Sequence, residues 1–170
     1  MGQVSKLRRM RVVMAIFLHS RGFSVAILED ALTVINAYNV VLHNYPINNK
    51  DVIEKVKEKI NFYLPEVVIL EDADGFGSRK GKRVKRAISA IEKYAGINKV
   101  SVSKYSRNDI RFVFNAFNAH SKYEIAKVIT DNVKQLPVEL PKKRLSHKPE
   151  HYSMTIFDAI SLAITHYYQT

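Results

Sequence analysis

Two acidic residues stand where hydrophobic patterning does not explain them. Glu71 follows the apolar residues 67–70, a predicted inner strand, and ligands bind at the carboxyl ends of strands in open α/β sheets. Asp158 interrupts the apolar residues 157–164, where a charge is costly unless it is paired or holds a cation. Two carboxylates facing one cleft of a basic protein are suited to Mg²⁺ or Mn²⁺, which neutralises a phosphodiester and activates water. The alternative is that Glu71 caps a loop and Asp158 pairs with a nearby lysine or arginine.

A histidine precedes the second of these acids. His151 lies seven residues before Asp158, and a helix predicted from about 151 to 168 would place both side chains on one face. His151 is therefore a candidate general base or weak metal ligand. The alternative is a surface or capping histidine. His19, in the turn after the first predicted strand, is a weaker candidate because histidine suits softer cations than Mg²⁺.

Hydrophobic periodicity predicts three strands followed by alternating helices and strands. The first two strands, residues 12–18 and 23–28, form a hairpin, and the first is apolar enough to be buried on both faces. The order β-β-β-α-β-α-β-α-α-α predicts an α/β fold, with a mixed five-stranded sheet and helices on both faces. We expect one domain over residues 1–170, with residues 1–10 as a basic arm. The other elements are predicted as strands at 32–42, 66–70 and 99–103, and as helices at about 49–63, 82–94, 108 onwards, 122–133 and 151–168.

The net charge of +11 is concentrated in three segments that contain no acid. Residues 1–11 carry four cations, residues 79–86 six and residues 142–148 four, so the rest of the chain is slightly acidic. A globular body with basic patches indicates a polyanionic partner, nucleic acid before membrane. No stretch approaches the ~20 apolar residues that span a bilayer. The absence of cysteine excludes a disulfide scaffold and a thiolate metal site, and favours a reducing, cytoplasmic location.

Two of the basic segments flank the candidate acids along the chain. Residues 79–86 follow Glu71 and begin a predicted helix, whose N-terminus itself favours phosphate. Residues 142–148 precede the helix that carries Asp158. A solvated charged face without a partner is the alternative interpretation. The candidate nucleic-acid-binding residues are Arg79, Lys80, Lys82, Arg83, Lys85, Arg86, Lys142, Lys143, Arg144 and Lys148.

Short motifs along nearly the whole chain resemble those of a known family. The chain is similar to RuvC-type Holliday junction resolvases of the ribonuclease H-like superfamily, and in particular to a group of RuvC-like bacterial proteins. The resemblance implies a RuvC-type fold, Glu71 and Asp158 as ligands of Mg²⁺ or Mn²⁺, DNA as the partner, and a homodimer. The matching stretches are Arg21-Gly22-Phe23-Ser24-Val25-Ala26-Ile27-Leu28-Glu29, Leu70-Glu71-Asp72, Gly77-Ser78-Arg79-Lys80-Gly81, Tyr105-Ser106-Arg107, Lys122-Tyr123-Glu124-Ile125-Ala126 and the segment from Ile156 to His166.

Two positions depart from the pattern of that family. Its first strand ends in a metal-binding Asp, but alignment through Arg21-Gly22-Phe23 puts Phe17 there, and an aromatic ring cannot coordinate Mg²⁺. Shortly before the last Asp the family has a further acid, whereas this chain has Thr155 three residues before Asp158. Two hypotheses follow. One is a metal-dependent, structure-selective endonuclease with a degenerate site, and the other is a catalytically inactive DNA-binding or protein-interaction module on the same fold.

Overall fold

The computed structural model describes residues 11–44 and 46–170, and its elements follow the predicted order. The predicted basic arm, residues 1–10, lies outside the described residues. The boundaries agree with the predictions to within a few residues. The elements are β1 Val13–His19, β2 Gly22–Asp30, β3 Thr33–Val41, α1 Asn49–Tyr63, β4 Val67–Glu71, α2 Lys82–Ile97, β5 Ser101–Tyr105, α3 Arg107–Asn115, α4 Lys122–Asn132 and α5 Met154–Gln169.

The five strands form one mixed sheet in the order β3-β2-β1-β4-β5. β1 pairs antiparallel with β2 and parallel with β4, and β4 pairs parallel with β5. This confirms the predicted mixed five-stranded α/β sheet. Because β1, β4 and β5 run in the same direction, their carboxyl ends lie at one edge of the sheet, where polar side chains can meet.

A tight hairpin joins β1 to β2 and requires glycine at position 22, where β2 begins. Gly22 has a φ of +150°, and a Cβ at this position would lie 2.0 Å from the carbonyl oxygen of Val40 on β3. A larger residue would therefore push β3 away from the hairpin. The turn brings the carboxyl end of β1 next to the start of β2.

Helices cover both faces of the sheet, which explains why β1 is buried on both sides. α1 and α2 pack on the face presented by Met14 and Ile16, whereas α3, α4 and α5 pack on the face presented by Ala15 and Phe17. α5 is the most buried helix and contacts all five strands. It crosses the sheet with its N-terminal half near the carboxyl end of β1.

The last helix begins three residues later than the predicted start at about His151, because α5 begins at Met154. His151 lies in a turn in which its Nδ1 atom is 2.7 Å from the Ser153 hydroxyl and accepts the Ser153 backbone N–H at 3.2 Å. Such local side-chain bonds compete with helical hydrogen bonding. His151 and Asp158 therefore do not share a helical face. Within residues 11–44 and 46–170, no helix has the length and apolar character to cross a membrane.

Candidate functional site

The two candidate carboxylates line the same pocket at the carboxyl edge of the sheet. Glu71 ends β4, pairs in register with Tyr105 of β5 and is 4% exposed. Asp158 lies on α5, and its side chain is 17% exposed. Phe17, two residues before the end of β1, lines the same pocket. The register of β1 and β4 and the crossing of α5 are what bring these residues together.

A lysine lies directly against Glu71. The Lys80 Nζ atom is 3.3 Å from Glu71 Oε2 and donates a 2.8 Å hydrogen bond to the Leu18 carbonyl. It also lies 4.0 Å from the centre of the Phe17 ring, an arrangement in which the ring face attracts the cation. The Lys80 side chain is only 17% exposed. Lys80 is thus turned inward against Glu71 and Phe17 rather than towards solvent.

A second lysine lies against Asp158. The Lys122 Nζ atom, at the start of α4, is 3.0 Å from Asp158 Oδ2 and 2.9 Å from Glu150 Oε1. Glu150 belongs to the irregular chain before α5. One ammonium group therefore pairs with two carboxylates from different parts of the chain, which corresponds to the pairing interpretation of Asp158.

Burial shifts the protonation equilibria of this pocket. Burial raises the pKa of Asp158 to about 6, although Lys122 acts in the opposite direction. Burial alone would lower the pKa of Lys122, but attraction to Asp158 and Glu150 outweighs it and raises that pKa. Burial lowers the pKa of Lys80, and Glu71 only partly offsets the effect. Burial thus makes Asp158 easier to protonate and Lys80 easier to deprotonate than the free side chains, whereas Lys122 holds its proton more firmly.

The two positions that depart from the family pattern have taken other partners. Phe17 is 7% exposed and belongs to the core beneath α5. The Thr155 hydroxyl donates to Asn39 Oδ1 at 2.9 Å, which ties the first turn of α5 to β3. The same Asn39 oxygen accepts a hydrogen bond from the buried Ser24. A polar network and an aromatic ring thus stand at the two positions where the resemblance leads us to expect further acids.

These residues do not fit a divalent metal ion. Within residues 11–44 and 46–170, no group of three or more His, Cys, Asp or Glu side chains is arranged to hold one. Mg²⁺ is usually held by one or two carboxylates together with waters and substrate phosphates, but here both carboxylates already contact ammonium groups. The neighbouring acids are used elsewhere: Asp72 accepts the backbone N–H of Asp74, and Asp74 pairs with Lys85.

Neither candidate histidine joins the acids. His151 is exposed and stacks beside Tyr152 outside the pocket. His19 is half-buried, and its Nδ1 atom accepts the Arg21 backbone N–H at 3.2 Å. Burial lowers the pKa of His19 and favours its neutral form.

The basic segment beside the pocket divides into inward and outward cations. Arg83 faces inward, where its guanidinium donates to the His19 carbonyl and to Asn49 Oδ1, both at 3.1 Å, and so ties α2 to β1 and α1. The helix buries Val84, Ile88 and Ile91 on its other side. The exposed cations at the start of α2 are Arg79, Lys82, Lys85 and Arg86, and those of the second segment are Lys142, Lys143, Arg144 and Lys148.

Several residues at this edge are missed by sequence reasoning. Arg107 and Arg111 of α3 line the pocket together with Lys122. Phe76 is 87% exposed in the loop between Glu71 and α2. The signal for Phe76 is present in the sequence, as an aromatic residue in a glycine-containing loop beside a basic run. The arginines carry no such signal, because their place at the pocket depends on how α3 packs.

The fold is similar to that of solved Holliday junction resolvases. Thermus thermophilus RuvC matches with a TM-score of 0.66 and 20% identity over 93% of this chain and 95% of that one. T. thermophilus RuvC in complex with a Holliday junction substrate matches with a TM-score of 0.64 and 21% identity over 94% of both chains. The yeast mitochondrial resolvase Ydc2 matches with a TM-score of 0.57 and 14% identity over 95% of this chain and 79% of that one. No protein-family model and no curated protein matches the sequence. The chain therefore has the RuvC-type, ribonuclease H-like fold, as the resemblance implied.

Proposed function

We propose that this protein binds branched or duplex DNA and that its pocket does not cut DNA with a metal ion. The observation that carries the proposal is the row of exposed cations at the start of α2, beside a pocket whose acids are already paired. Arg79, Lys82 and Arg86 point outward, and cations on one surface release counterions when they contact phosphates.

We further propose one domain over residues 1–170, a homodimer and a cytoplasmic location.

Two neighbouring features support DNA as the partner. The exposed residues 142–148 lead to Glu150, which contacts Lys122 at the pocket, so this second basic segment approaches the same edge. Phe76 presents an almost fully exposed ring beside the first segment, and such rings provide stacking surfaces for unpaired bases. One structural neighbour is a RuvC in complex with a Holliday junction substrate, which supports the choice of a branched substrate.

The alternative function is a metal-dependent endonuclease, since Glu71 and Asp158 line one pocket. The two functions are separated by incubating the protein with labelled four-way junction, duplex and single-stranded DNA, with and without Mn²⁺. Glu71→Gln and Asp158→Asn are measured beside Glu92→Gln, a control that removes an exposed acid paired with Lys104.

We expect salt-sensitive binding to junction or duplex and no cutting. Cutting that requires Mn²⁺ and is lost in both pocket variants, but not in the Glu92 control, would establish the endonuclease instead. Failure to bind any of the DNAs, or binding that is insensitive to salt, would refute the DNA-binding proposal and leave a protein-interaction module on this fold.

A further inference from the structure

The pocket carries two ion pairs that connect different layers of the fold. Lys80 Nζ lies 3.3 Å from Glu71 Oε2, and Lys122 Nζ lies 3.0 Å from Asp158 Oδ2. Glu71 is on the sheet and Asp158 is on α5, while the lysines come from the loop before α2 and from the start of α4. Each carboxylate therefore receives its cation from a separate element.

Both ammonium groups are held by more than their acid partner. Lys80 also donates to the Leu18 carbonyl at 2.8 Å and lies over the Phe17 ring. Lys122 also contacts Glu150 at 2.9 Å. Several partners around one ammonium group offset the free-energy cost of removing it from water. A single buried carboxylate partner seldom offsets that cost alone. These contacts fix the lysines in the pocket.

A divalent ion and these lysines would compete for the same oxygens. Mg²⁺ or Ca²⁺ binds carboxylate oxygens at about 2.0–2.6 Å, so an ion on Glu71 Oε2 or Asp158 Oδ2 would lie within a few Å of an ammonium group. Both oxygens are buried and accept no hydrogen bond from the described part of the chain, so the lysines act on them as ion-pair partners at 3.3 and 3.0 Å. Repulsion between two cations is weakly screened in such a place. Phe17, which lines the same pocket, supplies no oxygen.

We propose that Lys80 and Lys122 are the resident counter-cations of Glu71 and Asp158, so that the pocket takes no divalent ion. The two lysines supply the positive charge that a metal ion would otherwise bring to Glu71 and Asp158. This proposal stands apart from DNA binding, because both of its tests are carried out on the protein alone. If it holds, any DNA affinity is unchanged by EDTA at constant ionic strength.

The first test is a pair of double-mutant cycles measured by thermal unfolding. Lys80→Met and Lys122→Met each leave a buried carboxylate without its cation, and we expect each to lower Tm by about 5–15 °C. Adding Glu71→Gln to the first and Asp158→Asn to the second should restore most of that loss. The matched control is Lys104→Met with Glu92→Gln, an ion pair of 3.1 Å with both side chains about 40% exposed. In this control cycle, the change in Tm of the double variant should differ from the sum of the two single changes by less than about 2 °C.

The second test measures Mn²⁺ binding to the wild-type protein by the electron paramagnetic resonance signal of the free ion. We expect no more binding than to the Glu71→Gln, Asp158→Asn double variant. Stoichiometric binding that is lost in the double variant would overturn the proposal, and so would additive effects in both mutant cycles. A Lys80→Met variant that folds only in the Glu71→Gln background is the extreme form of the expected coupling. The wild-type measurement requires no variant to fold.

Discussion

Removing the three outward cations at the start of α2 should weaken DNA binding in a way that depends on salt. The change is Arg79→Gln, Lys82→Gln and Arg86→Gln in one protein. These side chains are exposed, so glutamine at each position leaves the core of α2 intact. Lys80 and Arg83 are left unchanged because both face inward.

The magnitude follows from the number of cations that can reach phosphates. Each phosphate contact contributes about 0.9 to the slope of log K against log salt concentration. Three lost contacts should therefore reduce the slope by about 2.7, which corresponds to a roughly 500-fold loss of affinity near 0.1 M salt. A purely structural role for these residues would lower stability without changing the slope.

The matched control removes the same charge from the opposite edge of the sheet. Lys93 and Lys99 lie near the end of α2, Lys134 follows α4, and all three are exposed. Changing them to Gln also lowers the net charge by three. Binding of labelled junction and duplex is followed by fluorescence anisotropy between 50 and 200 mM salt. Equal slopes for the two triple variants would refute the assignment of the DNA surface to the start of α2.

Two further predictions concern the interior. Phe17→Asp places a carboxylate beside Lys80, whose Nζ atom lies 4.0 Å from the ring centre. We expect this carboxylate to share the Lys80 ammonium group with Glu71 and to give no Mn²⁺-dependent cutting, and Phe17→Leu is the control for packing. Gain of cutting would contradict the lysine assignment. Burial lowers the pKa of His166, whose Nδ1 atom is 2.9 Å from the Tyr105 hydroxyl. The folded state therefore binds this proton more weakly than the unfolded state, and stability present above pH ~6.5 is lost as pH falls below it. Between pH 7 and 5, the free energy of unfolding measured in urea should fall less for His166→Gln than for the wild type. Identical pH profiles for the two proteins would contradict the prediction.

Local sequence pattern is sufficient for most of the architecture. The alternation and runs of apolar residues predict every strand and helix in order, because burial on one or both faces leaves a period that can be recognised along the chain. The capping residues Ser106 and Ser121 predict the starts of α3 and α4, and both accept the expected backbone N–H. The start of α5 is misplaced because a side-chain turn at His151 replaces the first helical turn.

The candidate acids are likewise visible in the sequence, because a carboxylate at the end of an apolar strand or within an apolar helix is unusual. Their partners are not visible. Lys80 belongs to a run of six cations within residues 79–86, and nothing in that run distinguishes the side chain that turns inward from those that face solvent. Lys122 reaches Asp158 from another helix. Such ion pairs form between residues that are distant along the chain, and they depend on atomic positions within a few Å. They therefore produce no repeating pattern in the sequence. The packing of α2, α4 and α5 around the end of β1 is what brings two isolated acids and two ordinary lysines together as ion pairs.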